Sequence, residues 1–546
     1  MCTAAGSLPP TSQPEGQNRM QPRKVQCMSR LKIHALFLLG LCFIVLAAVL
    51  PMFWPTYYKI FIADTLKMSR GSKTHQIWDD NPVPIYMDFY FFNWTNVNDL
   101  EDEGEMHIPQ MQELGPYRFT EKIKRVNVTW NSNNTVTYQQ AKYWYFDPEN
   151  SRGSLDDEIT TLNIVALTAA FTVRDWMFIL RTATNTAIVG TKQKIHVVKK
   201  VRELLFEGYS DQLISMAKKM PSFASVKVPF DKFAWFYKRN GTSFMDGVFN
   251  MNTGEEDIYK IGKLENWNYD NSTSFYEGDC ANVVGTTGQL FPPGQTRESK
   301  VTMFSPDLCR SVSFEYEEDT EVEGVPGYRY VGGMSMLDNG TVFEDNSCYC
   351  NGECTPSGVL NETSCRFGAP AFASFPHFYL ADPFFTDNVR GLRPVKEKHQ
   401  FYLVLEPTTG IPLDVAARFQ INLLLQPLPG MGLYSNVPTV FFPMLWFQQR
   451  ATILPSMALG LRLLLFLQHL GIILCILSAL CGCLMLGYSL VLCLGNHKAR
   501  TMEMQKNKDD YNMYVAAMES PKKESKSGKK QYIVMKPRSE LNSNDL

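Results

Sequence analysis

Two runs of the chain carry almost no polar side chain. "IHALFLLGLCFIVLAAVLPMFW", residues 33–54, holds no charged group apart from His34 when protonated, and a helix of about twenty apolar residues crosses a hydrocarbon layer roughly 30 Å thick. "LGIILCILSALCGCLMLGYSLVLCL", residues 470–494, is the second such run, with a semi-apolar lead-in from Met457 broken by Arg462 and His469. Between them the pattern changes. "PVPIYMDFYFFNWTN" (82–96) and "YRYVGGMSM" (328–336) are rich in aromatic and β-branched residues bounded by Pro, Gly and Asn, as strands are. "HQFYLVLEPTTGIPLDVAARFQINLLLQPLP" (399–429) reads as strand, Pro-Thr-Thr-Gly turn, strand. The exception is 155–220, where "TTLNIVALTAAF" and "RDWMFILRTATNTAI" have helical spacing, followed by the alternating basic stretch "KQKIHVVKKVRELLFEGY" and a short helix, "SDQLISMAKKM". No period of 20 to 50 residues repeats, which excludes a solenoid. The Lys-, Ser- and Asn-rich tail beyond Asn496 is expected to be disordered.

Composition changes this picture little. The 546 residues carry a formal net charge of −2 and are 45% hydrophobic, which suits neither a nucleic-acid binder nor a disordered chain. The placing of charge is more informative. Arg19, Arg23, Lys24, Arg30 and Lys32 precede the first span, and Lys498, Arg500, Lys506 and Lys508 follow the second, which favours both termini in the cytoplasm, although Lys59, Lys67, Arg70 and Lys73 reduce the asymmetry at the first span. The first apolar run is long and no A-x-A pattern follows it, so it reads as an uncleaved signal anchor. Seven glycosylation sequons, at Asn93, Asn127, Asn133, Asn240, Asn271, Asn339 and Asn361, all fall between the spans. The expected organisation is a cytoplasmic tail (1–32), a first span (33–54), a glycosylated ectodomain (55–456) with a helical region at about 155–220, a lead-in and second span (457–494), and a cytoplasmic tail (495–546).

Six of the thirteen cysteines lie in the ectodomain: Cys280, Cys309, Cys348, Cys350, Cys354 and Cys365. An even set in an oxidising compartment reads as three disulfides, with fifteen connectivities open to the sequence. Their C-x-C-x3-C-x10-C cluster lacks the paired spacing and nearby His of a zinc site, so no metal is expected. Cys27 and Cys493, beside the spans, are candidates for S-palmitoylation.

No nucleophile elbow, zinc-binding helix or phosphate loop occurs in the chain, which points away from an enzyme and calls for no cofactor. His377 in "FPHFYLADP" reads as a hydrogen-bonded core residue rather than a base. Lys192 and Lys194 open the basic stretch beside the apolar segment carrying Trp176, Met177, Phe178 and Ile179. A charge run is usually a solvated face, but cations beside exposed apolar surface also suit ligands with an anionic head and a hydrocarbon body. In the C-terminal tail, "YIVM", from Tyr532 to Met535, fits a tyrosine-plus-bulky-apolar endocytic signal.

Several stretches together resemble the class B scavenger receptor family, the fatty-acid translocase-like two-span receptors: "PIYMDFYFFNWTN" (84–96), "ELGPYRFTE" (113–121), "VRELLFEGY" (201–209), "GDCANVVGTTGQLFPP" (278–293), "FSPDLCRSVSFEYE" (304–317) and "LEPTTGIPLDVAARFQIN" (405–422). The resemblance covers the chain from about Trp54 to Leu494. It implies an α+β fold: an antiparallel β-barrel-like ectodomain with an apical helical bundle and an internal lipid tunnel, anchored by two transmembrane helices. It also implies disulfides Cys280–Cys348, Cys309–Cys365 and Cys350–Cys354. The family's apical ligand-binding lysine aligns with Gly190, so Lys192 or Lys194 is expected to take that role, with Trp176 and Phe178 nearby. The implied function is a plasma-membrane scavenger receptor that binds lipids, lipoproteins or apoptotic-cell ligands and delivers the hydrophobic ones to the membrane. A phagocytic or adhesion receptor that moves no lipid, and a two-span ligand-gated channel, are the alternatives. Endosomal or lysosomal residence and a homo-oligomer remain open options.

Overall fold

A computed structural model describes residues 30–99, 106–218, 230–350, 352 and 354–519. Its contacts divide the chain into two compact units, Met1–Trp54 with Leu470–Leu546, and Pro55–His469.

The second unit is built on one antiparallel sheet of thirteen strands. They are β1 (Ile85–Trp94), β2 (Met111–Trp130), β3 (Thr135–Phe146), β6 (Phe249–Asn252), β7 (Leu264–Trp267), β8 (Val301–Ser305), β9 (Arg310–Val322), β10 (Val325–Val331), β11 (Val359–Asn361), β12 (Ala371–Ser374), β13 (Tyr402–Leu405), β14 (Pro412–Leu425) and β15 (Val440–Thr452). A separate pair, β4 (Glu158–Leu162) and β5 (His196–Lys200), belongs to the helical region. The order along the large sheet is β7-β6-β3-β2-β1-β15-β14-β13-β10-β9-β8, with β12 and β11 continuing from β14. β1 sits at its centre, which explains the sequence "IYMDFYFFNW": a strand covered on both faces needs an apolar run rather than alternation. Ile85 pairs with Ala451 and Phe91 with Leu445, so the start of the ectodomain is hydrogen-bonded to its end. The Pro-Thr-Thr-Gly turn joins β13 to β14 as the sequence predicts. There the Glu406 carboxylate accepts from the Thr408 and Thr409 amides at 2.9 and 2.7 Å.

The two ends of the sheet meet through the short segment around Gly285 and Thr286. Thr286 bridges Lys263, next to β7, and Met303 of β8, with its own amide donating to the Thr302 carbonyl at 3.1 Å. Gly285 beside it has φ +91°, and a Cβ there would stand 2.3 Å from the Thr302 carbonyl oxygen, so only glycine lets the two chains close. Joining the ends turns the sheet into a barrel.

The helical region comprises α3 (Ile164–Thr172), α4 (Phe178–Gly190) and α5 (Gln212–Ala217). Asn163 caps α3 by accepting from the Ala166 amide at 3.1 Å, and this stops helix from reaching back into "EITTL", which forms β4. Asp211 caps α5 in the same way, accepting from Leu213 N at 2.7 Å.

Among the described residues, the first unit consists of parts of α1 (Arg30–Leu66) and of the C-terminal helix (Pro455–Glu519). The chain is a membrane protein, and both helices contain a window long and apolar enough to span. They pack through small residues. A Cβ on Gly482 would lie 2.9 Å from the Gly40 carbonyl oxygen, Ser478 Oγ donates to the Phe43 carbonyl at 2.8 Å, and Cys475 Sγ lies 2.9 Å from the Ala47 carbonyl. The C-terminal helix runs on to Glu519, which corrects the expectation of disorder directly beyond Asn496. "MEMQKNKDDYNMYVAAME" is made largely of helix formers, and Gln505 donates to Asp509 one turn on at 3.2 Å.

Candidate functional site

Alternation along the barrel strands decides which side chains face inward. Ile85 and Met87 of β1, Ile123 and Arg125 of β2, Gln140, Lys142 and Trp144 of β3, Val415, Ala417 and Phe419 of β14, and Phe447, Gln449 and Ala451 of β15 line a cavity of about 390 Å³. That volume lies within the range of small-ligand sites, and the wall is mostly apolar, as such sites are.

Charge is gathered on one part of this wall. Lys142 Nζ lies 2.8 Å from Asp246, and Arg239 joins Asp246 at 2.9 Å and Asp307 at 2.7 Å. Burial works against each charge. For Lys142 the carboxylates of Asp246, Asp307 and Glu121 outweigh it and raise the pKa, while Asp307 is driven down by Arg239 and Lys142. Glu121 goes the other way: burial raises it, although it accepts from Trp144 Nε1 and Gln449 Nε2, both at 2.9 Å.

On the outer face of β1 and β15 a second polar cluster is fully bonded. His377 Nδ1 accepts from the Arg393 amide at 3.0 Å, so its Nε2–H donates to Glu113 at 2.6 Å. The ring stacks on His399 at 4.4 Å, and Trp446 Nε1 completes the Glu113 contact at 2.8 Å. His377 is thus a hydrogen-bonded core residue.

The apical residues divide. Met177, Phe178 and Ile179 stand 73, 71 and 76% exposed at the start of α4, whereas Trp176 packs partly into the core. Lys192 and Lys194 are exposed just beyond the other end of α4. Thirteen helical residues separate the two groups, close to 20 Å at about 1.5 Å per residue. The apolar tip and the lysines are therefore not the single neighbourhood their sequence proximity suggests. Further along the basic stretch, Lys199 lies 4.7 Å over the Tyr209 ring, and Lys200 and Arg202 both bind Asp156, at 3.0 and 2.5 Å.

Disulfides join Cys280 to Cys348, Cys309 to Cys365 and Cys350 to Cys354. Cys309 and Cys365 lie close to Glu362, but sulfurs committed to a disulfide are not thiolate ligands. Both Glu362 oxygens are buried without a hydrogen bond among the described residues, and burial pushes this carboxyl up to about 8, against the pull of Arg366 and Arg310.

The sequons also divide. Asn127, Asn133, Asn240 and Asn271 are exposed, and Asn93 is half-buried with its Oδ1 accepting from the Thr160 amide at 2.8 Å. Asn339 and Asn361 are 3 and 4% exposed, and the Asn339 amide nitrogen is held by Thr355. These two sequons are enclosed where the other five reach the surface wholly or in part. Cys493 is exposed on the C-terminal helix, while Cys27, Tyr532 and Met535 lie outside the described residues.

Sequence reasoning passes over Arg125, Lys142, Arg239, Asp246 and Asp307. The available signal is parity: Glu121, Ile123 and Arg125 share a face of β2, while Lys122 and Lys124 share the exposed one.

Comparison with known proteins gives a consistent result. The family model described as the CD36 family matches residues 38–493. Protein peste of Drosophila melanogaster is 39% identical over 437 residues, covering 80% of this chain and 78% of its own length. Scavenger receptor class B member 1 of Sus scrofa is 33% identical over 417 residues, 76% of this chain and 80% of its own. Lysosome membrane protein 2 of Mus musculus is 33% identical over 397 residues, 72% and 80%.

Proposed function

The chain belongs to the CD36 family, and from that premise we propose that it is a cell-surface receptor that binds lipids or lipoproteins and takes the hydrophobic ligand into its barrel on the way to the membrane. The observation that carries this reading is the cavity, about 390 Å³ of mostly apolar space inside a closed sheet. Each methylene left in water costs about 0.8 kcal/mol, so an apolar path lowers the barrier to moving a hydrocarbon chain without any covalent step. The exposed Met177–Phe178–Ile179 tip supports a role for the helical region in first contact with a lipid or lipoprotein surface. Residence at the plasma membrane with both termini cytoplasmic is part of the proposal. Tags on either terminus that stay protease-protected in intact cells would support it, and a surface-accessible tag would refute it.

Ala417 gives the direct test, because its side chain faces the cavity from β14. Ala417→Trp fills the space, and lipids that co-purify with the full-length protein are identified by mass spectrometry. The parent should carry single- or double-chain lipids, and the variant, at equal surface level, should lose them and lose lipid uptake. Unchanged lipid content and uptake would sink the barrel route and leave a receptor that moves no lipid.

A further inference from the structure

Two buried nitrogen donors on the cavity wall have no acceptor among the described residues. Trp78, on α2 (Lys73–Asp79), is 3% exposed, and its indole Nε1–H makes no hydrogen bond. Arg125, on β2, places its guanidinium 5.3 Å from the Trp78 ring, and its Nε–H is likewise unsatisfied. The other guanidinium hydrogens reach only neutral oxygens: Nη2 donates to Gln289 Oε1 at 2.5 Å and Nη1 to the Ile123 carbonyl at 3.5 Å. Among the described residues Arg125 forms no ion pair, whereas its neighbours on the wall do, Lys142 with Asp246 and Arg239 with Asp246 and Asp307. Glu121, the inward carboxylate two residues away on the same strand, is taken up by Trp144 and Gln449.

An unsatisfied buried donor is costly, more so when charged, and buried charges in folded proteins are normally paired. Both orphans belong to side chains that line one cavity, beside Ile77, Ile123 and Met87. The geometry points to a missing anionic acceptor. We propose that Arg125 and Trp78 form a subsite for the carboxylate of a single long-chain amphiphile, one oxygen accepting from each nitrogen while the hydrocarbon chain lies along the apolar wall. This deepens the reading of the barrel as a lipid site and rests on it. The Gln289 amide supports the arrangement: its Oε1 holds Nη2 while its Nε2 donates to Gln140 at 3.3 Å, and Gln140 in turn donates to Asp246 at 3.0 Å, so the guanidinium is anchored through Nη2 while its buried Nε–H is left unsatisfied. Trp78 is fixed edge-on against Tyr138 at 4.9 Å. A sterol ester or other neutral lipid fills the same volume but gives the guanidinium no charged acceptor in hydrogen-bond contact; Asp79 and Glu121 act on it only through space.

The test compares two ligands with one chain and different heads. Full-length protein in phosphatidylcholine nanodiscs is loaded with a fluorescent long-chain carboxylic acid, which palmitic acid or hexadecanol then displaces above neutral pH. The parent should prefer the acid by roughly ten-fold or more, the usual range for a hydrogen bond to a charged group. Arg125→Gln should bring the two to parity, and Trp78→Phe, which keeps the ring and deletes one N–H, should narrow the preference several-fold. A parent indifferent to the head, or either variant folding with the parental preference intact, overturns the subsite. If Arg125→Gln fails to fold, Trp78→Phe alone decides. Displacement by neither ligand would count against the barrel as a lipid site altogether, whereas equal displacement by both would remove only the carboxylate subsite.

Discussion

Glu362 gives the ectodomain a pH dependence whose sign can be worked out. Its carboxyl is pushed up to about 8 in the folded protein, mainly by burial, against 4.5 as the unperturbed value. Below 4.5 both states are protonated and the group contributes nothing. As pH rises from there toward 8 the unfolded chain gives up a proton that the folded one keeps, so stability falls, and the full penalty is present above 8. Glu362→Gln should flatten this slope and raise the melting temperature more at pH 8 than at pH 5, read by thermal unfolding at the two values. An equal shift at both would show that Glu362 is not held protonated. The lysines beyond α4 make a weaker demand on the fold: exposed as they are, Lys192→Ala with Lys194→Ala should leave the melting temperature within a degree or two. The same pair of changes should reduce uptake of anionic ligands several-fold and of neutral ones little, with added salt reproducing the effect on the parent. Equal uptake of a fatty acid by parent and variant across ionic strengths would remove these residues from ligand capture. Arg125 shows why such sites are hard to read from sequence. In "EKIKRV" both faces of the strand carry two charges, Glu121 and Arg125 on one and Lys122 and Lys124 on the other, and only the pairing partner tells which pair looks inward.

At the level of elements, the long apolar runs and the Pro-Thr-Thr-Gly hairpin were legible because a single local signal decides each of them. The helical region was half legible. Its helices have the right spacing, but "EITTL" belongs to a strand because β5, more than thirty residues on, supplies the ladder it needs. The helix continuing to Glu519 was missed because a polar, lysine-rich composition is shared by disordered tails and solvated helices. The two spanning segments offer a test of their own. Gly482 stands where any Cβ meets the Gly40 backbone, so Gly482→Leu should force the helices apart, and cross-linking between cysteines placed at positions 43 and 478 should fall sharply. Retained cross-linking would mean that the pair does not depend on this close approach.

For the whole molecule, the sequence carried the architecture only through resemblance, because a barrel is a statement about which distant strands pair. Neither the closure through Thr286 nor the enclosure of Asn339 and Asn361 leaves a mark that a linear pattern could show. Enzymatic deglycosylation should therefore remove glycans from at most five positions, and site-resolved mass spectrometry should find Asn339 and Asn361 bare. Occupancy at either would contradict their burial. The central place of β1 also sets a clock. Its neighbour β2 follows at once, but its other neighbour, β15, lies some 360 residues later, the separation between Asp88 and Gln448. At a synthesis rate of about 5–20 residues per second, the strand "IYMDFYFFNW" waits roughly twenty seconds to a minute with one edge bare, while all three disulfide partners appear before its mate does. A nascent chain cut short before Val440 should thus hold correct disulfides and still be retained by the quality-control machinery, since what it lacks is the last stave of the barrel rather than its rivets.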